Sequence, residues 1–259
     1  MKLGNSVAVG CVAGVSLCAA CAQIVAPHET LEPPSGPIVV NAGFSPVPRI
    51  PTSAPAGPAS QPIDLTPCYG KASGTEGDAW FTHEDWKIVP KGLQTFDGIL
   101  FDVSGTMLLR GTSLPQLKEA IRGIPIQRRC RYIHLLHGLG YSDNDGTTVA
   151  VMELHYPDGQ QRDIPIVVGI HVRNWWKEPQ EPVSEVFDLG SGVAWSGQGT
   201  YPAAPTSVRL FRSTFVNPRL NEPIDHIDFV SKNSRAILCI VSISVGYQRP
   251  VTVAKPAAP

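Results

Sequence analysis

A basic excess, a paired set of cysteines, a membrane-length apolar run and a catalytic signature are all missing from this chain. The formal net charge is −1 and the sequence pI about 6.6, so nothing favours binding to nucleic acid or to an anionic membrane surface, and neither is expected as a partner. There is no nucleophile elbow, no HExxH and no phosphate-binding glycine loop, which removes the commonest routes to a hydrolase, a metalloprotease or a nucleotide enzyme. Of the 6 cysteines, Cys11, Cys18 and Cys21 lie in an N-terminal apolar segment. The spacing of the others, Cys68, Cys130 and Cys239, matches no metal site. One disulfide among them would leave an odd thiol. Cys130 and Cys239 stand in strand-like apolar runs where a free cysteine serves as a small hydrophobe, and whether they pair stays open.

The apolar run Val7 to Ala20 follows Met1-Lys2 and is too short to span a membrane comfortably. It reads as the core of a signal peptide over residues 1–22, with Ala20-Cys21-Ala22 offering a small-x-small cleavage site before Gln23. The rival is a lipoprotein signal in which Cys21 carries the lipid after Leu17-Cys18-Ala19-Ala20. Either way the chain is expected to be exported, to the periplasm, the cell envelope or the outside. Residues 23–62 are rich in Pro, Ala and Ser and predict a disordered, semi-rigid spacer that holds a folded module away from its anchor. The module is expected over 63–249 and a disordered tail over 250–259.

Within the module, Thr147 to Val168 sets a structure and a register. Thr, Val and Ile fill both arms, and Pro157-Asp158-Gly159 predicts a three-residue hairpin loop with Gly159 in the left-handed conformation. That loop places Met152 opposite Ile164, Ala150 opposite Ile166 and Thr148 opposite Val168 on a core face, and Glu153 opposite Asp163 on the other. Further strands are expected at Ile63-Asp64-Leu65, in a hairpin from Phe96 to Arg110 turning at Ser104-Gly105, over Ile124 to Leu136, and at Val208 to Phe215, Ile224 to Val230 and Ala236 to Val245. Ser113 with Gln116 suggests a capping box for a short helix ended by Gly123, and Glu178 to Gly199 reads as a long loop. Many strands, almost no helix and frequent turns predict an all-β, antiparallel two-sheet sandwich with one core containing Met152, Leu154, Ile164, Ile166, Ile227, Phe229, Leu238 and Ile240.

The residues able to carry function are aromatic more than catalytic. Trp80, His83 and Trp86 lie on a predicted loop, where rings can stack on the apolar faces of sugars; the alternative is that they plug one end of the core. Trp175 and Trp176 face opposite ways if a strand continues through them, so one is core and the other a rim candidate. Trp195 stands in the glycine-rich loop. His134 and His137 are three apart on a strand and point to opposite faces, which suits core or rim histidines better than metal ligands. Asp143-Asn144-Asp145-Gly146 carries half of a calcium loop without its later ligands, and a turn explains it as well. No other cofactor is expected.

Several stretches together resemble a known pattern: Ile63-Asp64-Leu65, Phe96 to Asp102, Ile124-Pro125-Ile126 leading to Ile133 to Gly138, His155 to Gly159 with Ile164-Pro165-Ile166, Trp175-Trp176, Asn217-Pro218 and Ile227 to Ser231. They are similar to the galactose-binding-like jelly rolls, β-sandwich modules of exported bacterial proteins. Phe215-Val216 departs from the pattern, which has a tryptophan and an acid there, and no family site residue carries over. The resemblance implies an accessory module with carbohydrate or cell-surface contacts. The leading expectation is therefore a non-catalytic, surface-tethered, carbohydrate-binding protein. The alternatives are a hydrolase drawing on Asp102, Glu153, His155, Asp163 or His171, and a structural or assembly protein of the cell envelope that contacts another protein.

Overall fold

The hairpin at Pro157-Asp158-Gly159 forms in the register that its residues demand. Gly159 has a φ of 79°, and Met152 pairs with Ile164, Ala150 with Ile166 and Glu153 with Asp163. One bulge shifts Thr148 onto Val167 in place of Val168. The computed structural model describes residues 59–69, 84–177, 181, 186–199 and 206–251, all within the compact unit Ser53–Pro259. The expected signal segment, nearly all of the spacer, Cys21, Trp80, His83 and the tail beyond Val251 lie outside these residues.

Among the described residues the strands are β1 (Gln61–Pro62), β2 (Gly92–Phe96), β3 (Ile99–Val103), β4 (Met107–Leu109), β5 (Ala120–Arg129), β6 (Tyr132–Gly140), β7 (Thr148–His155), β8 (Gln161–Val167), β9 (Ser191–Gly199), β10 (Thr206–Val216), β11 (Pro223–Ser231) and β12 (Ile237–Gly246). One four-residue helix, α1 (Glu84–Lys87), and a single 3-10 turn at Thr66–Cys68 accompany them. The chain is all-β, and every pairing between named strands is antiparallel. A six-stranded sheet runs β1-β12-β6-β10-β9, with β4 on the same edge of β12 as β1. A four-stranded sheet runs β5-β11-β7-β8, and β2 pairs with β3 alone.

The two large sheets share an apolar core in which Met152, Leu154, Ile166, Ile227, Phe229 and Ile240 are fully buried, Leu238 nearly so, and Ile164 half-buried at its margin. Each such side chain contributes about 1.5–3 kcal/mol on leaving water. A second apolar cluster lies on the other face of the six-stranded sheet, where the sequence predicts a single core. Alternate residues of β6, β10 and β12 enter the two clusters: Leu135, Phe211 and Ile240 go to the first, Leu136, Leu210 and Val241 to the second. A strand covered on both faces needs no polar alternation, which is why β6 and β12 are buried at every position.

Several boundaries differ from expectation. The hairpin before β4 turns at Asp97-Gly98, with φ of 49° and 77°, and not at Ser104-Gly105. Asp-Gly is the stronger two-residue turn, because both positions tolerate the left-handed backbone. β4 then pairs with β12 instead of β3. The expected helix after Ser113 is absent: Leu114 N–H donates to Gly111 and Leu117 N–H to Leu114, two separate turns, while Ile121 is drawn into β5. The strand expected over Ile124 to Leu136 is two strands in different sheets, broken at Cys130-Arg131. Buried Asn217 holds that break, its Nδ2 donating to Cys130 O at 3.0 Å and its Oδ1 accepting from Tyr156 Oη at 2.6 Å. The strand expected at Ile63-Asp64-Leu65 does not form, since β1 is Gln61–Pro62 and ends before it, and the loop expected over Glu178 to Gly199 contains β9. Cys68, Cys130 and Cys239 are all unpaired, the last two buried as small hydrophobes.

Candidate functional site

Four of the candidate tryptophans converge on the outer cluster, which the β2–β3 hairpin covers. Trp175 is 2% exposed and belongs to the core, while Trp86, Trp176 and Trp195 are half-buried around it. The Trp175 and Trp176 rings do not face opposite ways. Their centroids are 5.3 Å apart at 64°, edge to face, and Trp86 lies 6.3 Å from Trp175. The chain there makes only isolated bridges, Leu139 to Asn174 and Trp176 to Val208, so the alternation of a regular strand does not apply. Trp176 Nε1 donates to Oδ2 of buried Asp85 at 3.0 Å. Lys91 Nζ stands 3.7 Å over the Trp86 ring, and burial pushes its ammonium down to about 8. Ile88, 43% exposed, and the Trp195 ring both lie against Gly197, extending the apolar rim.

In the calcium-like loop the two carboxylates are engaged by protein donors. Asp145 forks the Arg173 guanidinium at 2.8 and 2.9 Å, and Asp143 accepts from Asn144 N–H and Arg235 N–H. These bonds are those of a turn tied to Arg173 and to the chain at Arg235. His134 and His137 are core histidines on opposite faces of β6. His134 bonds Ser60 and Thr214 hydroxyls, His137 the Ser213 hydroxyl. Desolvation lowers each to about 3, so both imidazoles are neutral; the Arg212 charge adds to this at His134 and His171 at His137.

The residues weighed for hydrolysis separate. Asp102 lies on β3 above the outer cluster, its N–H donating to Ser242. His171 takes the Val167 N–H on Nδ1 and meets Phe215 edge-on at 5.1 Å. Only Glu153, His155 and Asp163 stay together, on the outer face of the four-stranded sheet. Glu153 and His155 are alternate residues of β7 and share that face, and β11 lays Asp228 opposite Glu153 and His226 opposite His155. The histidine rings stack with centroids 4.2 Å apart and planes 7° apart. His155 Nε2 is 3.6 Å from Asp228 Oδ2 and 3.8 Å from Glu153 Oε2. Asp228 is nearly buried. Desolvation works to raise its carboxyl, but the Gly123 N–H at 2.7 Å, Arg122 Nη1 at 2.9 Å and the two histidines outweigh it and leave it below the usual range.

His226, Asp228 and Arg122 were not among the residues expected to carry function. Their signal was present as Asp225-His226-Ile227-Asp228 set against Glu153-Leu154-His155, two alternating acid and histidine pairs on strands. What the sequence lacks is the pairing of β11 with β7, across a separation of some seventy residues of chain. The chain matches no family model and no curated protein.

Proposed function

We propose that this protein is an exported, surface-tethered, non-catalytic binding module of the jelly-roll kind, galactose-binding-like in architecture, with carbohydrate as its ligand. The jelly-roll reading is supported by strand order: β4-β12-β6-β10 faces β5-β11-β7-β8, and the chain passes from one sheet to the other as two Greek keys require. The observation that carries the ligand class is the half-buried trio Trp86, Trp176 and Trp195 beside Ile88 and Lys91. Rings held rigidly at the rim of a core offer flat apolar faces for sugar stacking at little conformational cost. Trp175 is not part of this surface, because its ring is enclosed. The export and tethering parts of this reading are supported by the N-terminal apolar segment and the proline-rich stretch after it, with Cys21 the candidate for lipidation.

A glycan and polysaccharide array probed with the protein tests the ligand class. Binding that is lost in Trp195→Ala, with the thermal melt retained, is the expected result; an array without any hit, or hits unaffected by Trp195→Ala and Trp176→Phe, overturns it. A hydrolase remains the second reading, favoured by the convergence of Glu153, His155, His226 and Asp228. Release of reducing ends from a bound polysaccharide, abolished in His155→Ala, would select it.

A further inference from the structure

We propose that His155, His226 and Asp228 form a binding site for a divalent transition-metal cation of the zinc type on the outer face of the four-stranded sheet. One ligand atom from each of the three lies within 4.8 Å of the others. His155 Nε2 to Asp228 Oδ2 is 3.6 Å and His226 Nε2 to Asp228 Oδ1 is 3.9 Å. A tetrahedral zinc shell with bonds of about 2.0–2.1 Å sets its ligand atoms roughly 3.4 Å apart, so small side-chain movements bring these atoms into range. Two imidazoles and one carboxylate suit zinc, cobalt, nickel or copper, and exclude the all-oxygen preference of calcium and magnesium.

The surroundings are those of a supported ligand set. Asp225 Oδ2 takes His226 Nδ1 at 2.8 Å, which orients the ring and leaves Nε2 as the ligand nitrogen. The Gly123 N–H holds Asp228 Oδ1 at 2.7 Å and so fixes the carboxylate, leaving Oδ2 as the oxygen nearest His155 Nε2. His155 Nε2 is shut off from water and has no hydrogen-bond partner, a costly state for a ring nitrogen that faces two carboxylates. A bound cation relieves it. Glu153, 3.8 Å from the same nitrogen, stands beside the fourth position.

Two features must change as the ion enters. Ligand bonds lie in the imidazole plane, and rings only 7° from parallel cannot both aim at one ion, so one ring turns and the stack opens. Both rings are partly exposed and have room to do so. Arg122, whose Nη1 is 2.9 Å from Asp228 and 3.7 Å from Glu153, supplies the positive charge in the ion's absence, and its 61% exposed side chain can swing away. The guanidinium is thus a competitor for the metal.

Calorimetric titration of the untagged full chain with zinc chloride at pH 7.5 tests the site. One equivalent of zinc is expected to bind with micromolar or tighter Kd at a site that millimolar calcium or magnesium does not displace. His155→Ala with His226→Ala should abolish that equivalent, Asp228→Asn should weaken it at least tenfold, and Arg122→Ala should tighten it. In NMR spectra the His155 and His226 ring signals should shift on zinc addition while His134 and His137 do not. Because the substituted side chains stand on the outer sheet face, His226→Gln serves where the double variant melts early. Zinc binding weaker than 100 micromolar, binding unchanged in the histidine variants, or Arg122→Ala weakening the site would each overturn the proposal.

Discussion

Acidification should destabilise this protein well above the pH at which its carboxylates titrate, and the amount follows from His134 and His137. Both are buried on β6 and lowered to about 3 in the folded chain, whereas an unfolded histidine titrates near 6.5. With the folded value depressed, the unfolded chain binds the proton first. Stability is therefore full above about pH 7 and falls as pH drops through 6.5 toward the folded values. Between pH 7.5 and 5.5 each histidine loses about 1.4 kcal/mol by this linkage, roughly 2.7 kcal/mol together. His171, lowered by burial despite the Asp188 charge, adds in the same direction. Asp143 and Asp228, both lowered, take up protons only at lower pH and do not blur the window. Against a total of about 5–15 kcal/mol this is a large fraction, equivalent to roughly 5–10 °C in Tm. Urea melts at the two pH values measure it. His137→Gln keeps a polar partner for Ser213 but cannot be charged, so it should remove about half of the pH dependence. Equal stability at pH 7.5 and 5.5, or an unchanged slope in His137→Gln, would refute the assignment of neutral buried imidazoles.

Other perturbations bear on the strand register and its supports. Gly159→Ala should cost about 1 kcal/mol from backbone strain alone, since a Cβ there meets nothing within 4 Å while φ is +79°. Pro157→Ala should cost less, because proline acts chiefly by restricting the unfolded chain; urea melts showing the reverse order would count against the turn. Asn217→Ala should cost about 2–4 kcal/mol, as it leaves the Cys130 carbonyl and the Tyr156 hydroxyl without these bonds inside the core. A loss below 1 kcal/mol in the same melts would mean that other groups or water satisfy both.

Local chemistry along the chain determined the strands, and with them the fold class. The Pro-Asp-Gly loop dictated the β7–β8 register because a period of two sends a whole set of side chains to one face, so a slip by one residue would bury Glu153 and expose Met152. The apolar run at β12 was legible as a strand, whereas β6 was read as the end of one strand over Ile124 to Leu136 that the structure divides between two sheets. The Asp97-Gly98 turn was equally local, and its miss reflects a weaker Ser-Gly pair preferred to it. What covers those strands was not legible. The outer layer depends on β2 and β3 folding over the six-stranded sheet, which gathers Trp86, Trp175, Trp176 and Trp195 from three separate stretches and decides that Trp175 is core and its neighbour rim. The histidine and carboxylate cluster has the same origin. Glu153 and His155 were visible as same-face residues of one strand, but only tertiary structure lays β11 beside β7 and brings His226 and Asp228 to them, with Arg122 arriving from β5 on the far side. Hydrophobic periodicity reports which face of a strand is buried; it carries no information on which strand lies alongside, and a site assembled across strands is set by that choice.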